Sequence, residues 1–329
     1  MTSFAACRAL RSYWYPLAAA DAVSESPLSV RLLGEAFVVW RSESGDLCAA
    51  LDRCPHREAP LSLGVRRSDG CLVCPYHGWV YDRSGRCVSV PSSGDGAVPS
   101  RARLHAVHVA ERYGLVWIAP DEPVVAIPVI AQDDDPAFRR INQPVERWRA
   151  STTRMVDNFL DIAHFDYVHL ATFGGNGGAV PHVELERLDD DFYGYRYDVV
   201  ARNTDAEAVV VSGQTTATVE RSMTTGFSLP FLVRSTVTYA DGLEHVLLLC
   251  STPIDDDTSV FTFVVWRNDD FTTDGFAITE FDRRIGAEDR AMLERIPGPL
   301  SLGATDLVNV QADRAGVEWR RRLRELIER

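Results

Sequence analysis

The sequence predicts an α+β protein of two domains, an all-β domain followed by a domain in which an antiparallel sheet packs against helices. The length of 329 residues suits two domains, and 46% hydrophobic residues are enough to fill two cores. Short strand patterns occupy the first part of the chain, and longer strands with amphipathic helices follow. We place the domains at residues 1–120 and 121–329.

The first domain is predicted to be strand-rich because apolar and β-branched runs alternate with turns that contain Gly, Asp and Ser. Val30–Leu33 and Ala36–Trp40 flank a turn at Gly34, and Tyr113–Pro120 is the closing strand. The segment Asp121–Asp135 is rich in aspartate and proline, so we interpret it as the linker.

Two cysteine–histidine pairs lie in this first domain. Cys54 and His56 form a Cys-Pro-His box, and Cys74 and His77 belong to the string Cys-Pro-Tyr-His-Gly-Trp. Two thiolates on one iron and two imidazoles on the other are the ligands of a Rieske [2Fe-2S] cluster. We therefore predict that these four residues hold such a cluster, which accepts an electron more readily than an all-cysteine cluster.

A zinc knuckle is the competing interpretation, because Cys71 and Cys74 have Cys-x-x-Cys spacing. Zinc would leave the Cys-x-His box and the Cys-Pro-Tyr-His-Gly-Trp string unexplained. An odd number of cysteines, 7, also argues against the disulfide framework of a secreted protein. The remaining cysteines are predicted to be buried thiols: Cys7, Cys48, Cys87 and Cys250.

Both boxes resemble the Rieske domain of non-haem iron oxygenases. Respiratory-chain Rieske proteins differ, since they have extra cysteines that form a disulfide, a serine that bonds the cluster, and a membrane anchor. Here Tyr76 precedes His77, and Trp79 follows Gly78 at the position of that serine. Fewer hydrogen bonds to the cluster sulfurs should place the reduction potential at the low end of the Rieske range.

A second group of candidate ligands lies in the second domain. Asp161, His164 and His169 follow the pattern Asp-x-x-His-x-x-x-x-His. On a helix, Asp161 and His164 would share a face, and the helix must end or bend before His169 for the imidazoles to converge. The loop Gly174–Gly178 is consistent with such an end. Two histidines and a carboxylate form the facial triad of non-haem Fe(II) oxygenases, which leaves positions for O2 and substrate.

Taken alone, a histidine pair on an apolar helix is more often structural than catalytic. The Rieske boxes in the same chain favour the metal site. Asp166 lies between the two histidines but points elsewhere on a helix, so it is a poor substitute for Asp161.

The third ligand must be a carboxylate further along the chain. Ile278–Ile296 is predicted to be one long helix. Its apolar positions are Phe281, Ile285, Met292 and Ile296. The resemblance implies an aspartate directly after an acid, so we select Asp289, with Glu288 as the second choice. The other acids considered are Glu280, Asp282, Glu294, Asp306 and Asp313.

The rest of the second domain is predicted as sheet with one final helix. The strand segments are Phe192–Ala201, Thr216–Met223, Phe231–Tyr239, Val246–Thr252 and Ser259–Trp266. Asp313–Arg329 is predicted as an amphipathic helix. Its apolar face carries Trp319, Leu323, Leu326 and Ile327. We interpret the run Arg320–Arg322 as solvated surface.

The resemblance covers nearly the whole chain and is to the short, single-subunit type of oxygenase, which includes O-demethylases and saxitoxin-pathway hydroxylases. It implies a helix-grip (Bet v 1/START-like) catalytic domain with an apolar cavity beside a mononuclear Fe(II). It further implies a terminal oxygenase, here expected in secondary metabolism, that uses O2 and external electrons to hydroxylate a C–H bond of a small organic substrate. Oxidative O- or N-demethylation is the alternative, and a non-catalytic Rieske electron carrier with a ligand-binding domain is an alternative of another class.

The resemblance also implies a homotrimer, in which an electron passes from one subunit's cluster to the neighbouring subunit's iron. Asp161 would bridge a histidine ligand of each centre, and Asn158 would lie near the iron.

Several partners and locations are excluded by the sequence. A net charge of −13 argues against nucleic acid. Neither a GxGxxG fingerprint nor plant-ferredoxin cysteine spacing is found, so a separate ferredoxin or flavin reductase must supply electrons. No apolar run approaches about 18 residues and the N-terminus lacks a signal-peptide core, so we expect no membrane segment and a cytoplasmic protein.

Overall fold

The structure is a computed structural model that describes residues 3–4, 7–94, 96, 98–174, 180–303 and 306–328. Its contacts divide the chain into two compact units, one up to Ala126 and the other from Ile127 onward. The domain boundary predicted after residue 120 stays a prediction. The predicted loop Gly174–Gly178 lies, beyond Gly174 itself, outside the described residues.

Short antiparallel strands build the N-terminal unit. Their bounds are β1 Tyr15–Ala19, β2 Leu28–Leu32, β3 Glu35–Arg41, β4 Leu47–Leu51, β5 Val65–Arg66, β6 Leu72–Val73, β7 Val80–Tyr81, β8 Cys87–Ser89, β9 His108–Arg112 and β10 Leu115–Ala119. They form three sheets, ordered β1-β10-β9, β2-β3-β4 and β5-β6-β7-β8. The predicted hairpin is confirmed as β2 and β3, and its two turn residues, Leu33 and Gly34, both have positive φ.

Both cysteines of the predicted cluster site belong to the core of the N-terminal unit. Cys54 and Cys74 are buried in one cluster with large side chains such as Trp40, Leu72 and Tyr81. The surrounding core therefore fixes the positions of the two thiols. The four cysteines predicted to be buried thiols are indeed free and buried: Cys7, Cys48, Cys87 and Cys250.

A single antiparallel sheet with helices forms the C-terminal unit. Its strands are β11 Arg139–Asn142, β12 Glu146–Trp148, β13 Glu186–Arg187, β14 Tyr193–Arg202, β15 Thr218–Ser228, β16 Leu232–Tyr239, β17 Glu244–Pro253 and β18 Ser259–Arg267. The sheet order is β11-β18-β17-β16-β15-β14-β13, and β12 also pairs with β18. The five predicted strands are confirmed as β14 to β18.

Six helices accompany this sheet within the described residues. They are α1 Thr152–Leu160, α2 Phe165–Val168, α3 Ala206–Ser212, α4 Gly275–Ile278, α5 Glu280–Leu293 and α6 Arg314–Ile327. Among these described helices, none combines the length and the apolar character that a bilayer crossing requires.

The prediction of one helix over Ile278–Ile296 is wrong at both ends. The chain forms two helices, α4 and α5, separated at Thr279. The Asp274 side chain caps α4, and Thr279 bonds back to Gly275 O over 2.9 Å, which closes α4 as a separate turn. Met292, predicted to be apolar and inward, is 44% exposed, because the buried face of α5 carries Leu293 instead.

The final amphipathic helix is confirmed as α6, with Trp319 and Leu323 fully buried. The interpretation of its arginine run as solvated is wrong for Arg320, which is only 6% exposed. Its guanidinium donates to Asn309 Oδ1 over 2.6 Å and lies 3.6 Å from Asp157 Oδ1. These partners come from other segments, so the helix periodicity could not reveal them.

Candidate cluster site and candidate iron site

Two loops of the same design carry the cysteine–histidine pairs. In each loop the cysteine N–H donates to the carbonyl five residues further on, over 2.9 Å for Cys54 and 2.8 Å for Cys74. Each cysteine carbonyl accepts from the residue four positions on, Glu58 or Gly78. These two residues have φ of 59° and 70°, the left-handed conformation that lets each loop fold back on its cysteine.

The predicted cluster ligands lie close together. The rings of His56 and His77 have centroids 4.5 Å apart, and Trp79 stacks on His56 at 4.5 Å. The buried Nδ1 atom of His56 has no hydrogen-bond partner, and the thiols of Cys54 and Cys74 are buried. Two buried sulfurs and an unpaired imidazole nitrogen fit a cluster with two sulfur and two nitrogen ligands.

Tyr81 is a residue of this site that the sequence analysis missed. Its hydroxyl lies 3.1 Å from Cys54 Sγ, and the side chain is completely buried. Burial and the Cys54 thiol raise the pKa of Tyr81 well above its ordinary value, so the hydroxyl keeps its proton and donates to the sulfur. The available signal was its place only four residues after His77, in the strand that directly follows the second box.

Three predicted iron ligands converge in the C-terminal unit. The Nε2 atoms of His164 and His169 are 3.2 Å apart. Asp289 Oδ1 lies 3.4 Å from the first and 3.3 Å from the second. Ligand atoms bound at right angles over about 2.1 Å lie about 3.0 Å apart, so this triangle fits one face of an octahedral metal site. Asp289 Oδ1 is buried and makes no hydrogen bond of normal geometry, which also fits a metal ligand.

The local fold that brings Asp161 to His164 differs from the prediction. Helix α1 ends at Leu160, and Asp161 is extended, so Asp161 and His164 do not share a helix face. They meet because the Asp161 carboxylate accepts the backbone N–H groups of Ala163 (2.8 Å) and His164 (3.0 Å). Helix α2 ends before His169, as the convergence of the two imidazoles required.

A carboxylate lies behind each imidazole. Asp161 Oδ2 is 3.0 Å from His164 Nδ1, and Glu288 Oε2 is 2.8 Å from His169 Nδ1. Thr172 donates to the same Glu288 oxygen over 2.8 Å. Each Nδ1–H therefore donates to a carboxylate, and both Nε2 lone pairs face the position of a metal ion. Glu288, the second choice for the third ligand, instead lies behind His169.

The charges of this site are strongly coupled. Burial opposes charge on His164, but Asp161 and Asp289 raise its pKa to about 9. Burial likewise opposes charge on Asp289, but the two imidazoles lower its pKa to about 2. A divalent cation must therefore compete with a proton for His164 at neutral pH, and binding should release that proton.

An apolar cavity borders the three converging residues and Asn158. Its aromatic wall includes Phe159, Phe165, Phe173, Tyr239, Phe261, Phe263 and Phe281. The Asn158 amide nitrogen is buried without a hydrogen-bond partner. Gly286 of α5 also borders the cavity, and a Cβ atom there would meet nothing within 4 Å. This glycine keeps space open, although glycine within a helix costs about 1 kcal/mol relative to alanine.

Comparison with known families accounts for both units. Residues 13–107 match the family model "Rieske [2Fe-2S] domain". Residues 148–329 match the model "Vanillate O-demethylase oxygenase C-terminal domain".

Two similar curated proteins come from Pseudomonas putida. Methylxanthine N1-demethylase NdmA is 34% identical over 97% of this chain and 90% of that protein. Methylxanthine N3-demethylase NdmB is 28% identical over 96% of this chain and 89% of that protein. The solved structure of NdmA with caffeine matches with a TM-score of 0.84 and 31% identity over 97% of this chain and 92% of that chain.

The chain belongs to the Rieske non-haem iron oxygenases. It is a terminal oxygenase component that works with a Rieske [2Fe-2S] cluster, mononuclear iron and O2, and that depends on external electron donors and a small substrate. The zinc-knuckle and non-catalytic carrier interpretations are therefore wrong.

Tyr81→Phe should lower the reduction potential of the cluster. The variant removes a donor to a ligand sulfur and so destabilises the reduced cluster, which is the more negative form. A hydrogen-bond difference of about 1.4 kcal/mol corresponds to about 60 mV for a one-electron couple. The midpoint potential is measured by redox titration followed by electron paramagnetic resonance. Tyr76→Phe is the matched control, since Tyr76 is 64% exposed. An unchanged potential in Tyr81→Phe would contradict the hydrogen bond.

Proposed function

We propose that the protein removes a methyl group from a nitrogen or oxygen atom of a small aromatic or heteroaromatic compound. The observation that carries this proposal is the phenylalanine-lined cavity beside His164, His169 and Asp289, which suits a flat ring. The names of relatives agree with it. NdmA and NdmB, matched over most of their length, are named as N-demethylases, and dicamba O-demethylase of Stenotrophomonas maltophilia is 38% identical over 49% of this chain and 48% of that protein.

The metal groups would be held by seven residues of the chain. Cys54, His56, Cys74 and His77 would hold the cluster, and His164, His169 and Asp289 the mononuclear iron. When bound, these groups supply electrons one at a time and activate O2. Asp161 and Glu288 keep the two imidazoles in the tautomer that ligates. The aromatic wall excludes water and holds the substrate ring, so that a methyl C–H bond faces the ligand triangle.

The reaction balances without further reagents. The methyl compound, O2, two electrons and two protons give the hydroxymethyl compound and water. The hydroxymethyl group then leaves as formaldehyde, and the nitrogen or oxygen atom keeps a proton. The electrons come from an external ferredoxin or flavin reductase.

Formaldehyde release tests this proposal. The holoenzyme is assayed with a surrogate reductase and NADH against a panel of methoxy- and N-methyl-substituted arenes and heteroarenes. We expect formaldehyde, demethylated product and consumed O2 in equal amounts for at least one compound, and trideuteromethyl substrate should give dideuteroformaldehyde. Ring hydroxylation with retained methyl groups throughout the panel would contradict demethylation.

Iron content tests the proposed triad. His164→Ala, His169→Ala and Asp289→Ala should each lose the mononuclear iron and keep the cluster spectrum, because the two centres use separate ligands. Glu288→Ala should keep the iron but bind it about 10- to 100-fold more weakly, since it removes only a supporting contact. Iron is measured by mass spectrometry after equilibrium dialysis. Iron loss in Glu288→Ala with retention in Asp289→Ala would mean that the choice of carboxylate is wrong.

We further propose that the chain assembles as a homotrimer in which Asp161 bridges to the neighbouring subunit's cluster ligand. The Asp161 side chain is 27% exposed, and it borders a cleft that also contains the exposed side chains of Leu307 (39%) and Val308 (97%). An apolar rim beside a partly exposed carboxylate is suited to cover by another subunit. His77 is also exposed, so it can reach a carboxylate of another chain.

Asp161→Asn should keep both metal centres but slow electron transfer between them by about 10- to 100-fold, because the bridging charge is lost. The measurement is single turnover: the cluster is reduced, substrate and O2 are added, and cluster reoxidation is followed. Asp166→Asn is the matched control and should reoxidise its cluster at the wild-type rate. Both variants should have the same mass as the wild type in analytical ultracentrifugation. Normal reoxidation in Asp161→Asn would contradict the bridge, and loss of iron would show that Asp161 mainly supports His164.

A further inference from the structure

Arg221 is a cation on the wall of the substrate cavity that has no acidic partner within the described part of the chain. Its Nε atom is buried and makes no hydrogen bond. Its guanidinium carbon lies 5.3 Å from the centroid of the Phe173 ring. A charged group in such surroundings is costly unless it is paired. The partner is therefore expected to arrive with the substrate.

The sheet register explains why Arg221 faces the cavity. Arg221, Met223 and Thr225 are alternate residues of β15, and all three line the cavity. Arg221 is paired with Val199 of β14 on one side and Tyr239 of β16 on the other. It also lines a second recess, which shares Phe165 and Phe173 with the main cavity. Arg221 thus lies where the two spaces meet.

Outside the three candidate iron ligands, the acidic and basic side chains that accompany Arg221 on the cavity wall, His245 and Asp282, already have partners. His245 Nε2–H donates to Asp282 Oδ2 over 3.0 Å, and Arg267 donates to His245 Nδ1 over 3.3 Å. Arg267 also donates to Asp269 Oδ2 (2.8 Å) and Val211 O (2.7 Å), so its guanidinium is fixed. Asp282 is therefore bound to His245 rather than to Arg221.

We propose that Arg221 binds a carboxylate of the substrate, so that the substrate is an aromatic acid with a methyl group on nitrogen or oxygen. A guanidinium matches a carboxylate with two parallel hydrogen bonds, and its flat face suits neighbouring phenylalanine rings. The carboxylate end of the ring lies at Arg221 and the methyl end faces the iron ligands, which line the same cavity. This inference rests on the proposed function, since it takes the cavity as the substrate site.

Binding of matched acids and amides tests the inference. The probes are 2-, 3- and 4-methoxybenzoate and the corresponding neutral methoxybenzamides, titrated into the holoenzyme by calorimetry. We expect at least one acid to bind about 10- to 100-fold more tightly than its amide, as hydrogen bonds to a charged group allow. Arg221→Gln should abolish this preference, and Arg221→Lys should keep a weaker one, since it retains charge without the paired geometry.

Arg196→Gln is the matched control, because Arg196 lies on β14, is 57% exposed and pairs with Glu186. It should keep the wild-type preference. The inference is overturned if the wild type does not prefer any acid to its amide, or if Arg221→Gln keeps the full preference. The comparison of acid and amide binding to the wild type tests the inference even where a variant is unstable.

The outcomes also separate this inference from the proposed function. An acid that binds through Arg221 and is hydroxylated without formaldehyde release supports the role of Arg221 and contradicts demethylation. Formaldehyde from an acid and its neutral amide with equal affinity and equal rate in the wild type supports demethylation and overturns the role of Arg221.

Discussion

The hydrogen bonds between carboxylates and imidazoles at the proposed iron site are the interactions on which the rest of the C-terminal unit depends. Asp161 and Glu288 each accept from a histidine Nδ1 atom, which leaves both Nε2 atoms free to ligate. Asp161 can do so only because helix α1 ends at Leu160 and the chain turns back towards His164. Glu288 can do so only because α5 packs its inner face beside His169. The ends and packing of these helices are therefore part of the metal site.

Helix α5 carries three residues with different roles in the proposed site, Gly286, Glu288 and Asp289, within four positions of the sequence. Asp289 lies on the buried face of the helix, eight residues after Phe281 and four before Leu293, and points towards the Nε2 atoms of His164 and His169. Glu288, one residue earlier, is rotated about 100° around the helix axis and meets His169 from behind. Gly286 leaves α5 without a side chain where the helix borders the cavity. Asp289 continues the four-residue spacing of the apolar positions Phe281 and Ile285, and Glu288 does not. This spacing is the sequence signal that distinguishes the two acids.

The sequence singled out those candidate site residues that are close along the chain, and the structure brings them together. The Cys-x-His and Cys-x-x-His boxes and the histidine pair were recognisable because their spacing itself constrains the ligands. Tyr81, Arg221 and Arg320 were not recognised, because their surroundings come from distant segments. Arg320 looked like a solvated residue until Asn309 and Asp157 were placed beside it. Likewise, Thr279 divides the predicted helix through a bond to Gly275 and the cap at Asp274, which helix periodicity does not record.

The apolar wall of the cavity and its polar groups differ in how strongly they discriminate between substrates. The phenylalanine rings hold any flat ring and distinguish poorly between substituents, since they offer little beyond shape and stacking. A guanidinium without an acidic partner distinguishes strongly, because a neutral ligand would leave its charge uncompensated. Anchoring one end of a ring at Arg221 also fixes which atom of the other end faces the ligand triangle. If that atom is a methyl carbon on nitrogen or oxygen, hydroxylation ends in loss of formaldehyde. If it is a ring or alkyl carbon, the same residues give a stable alcohol, so the position of the anion relative to the methyl group decides the product.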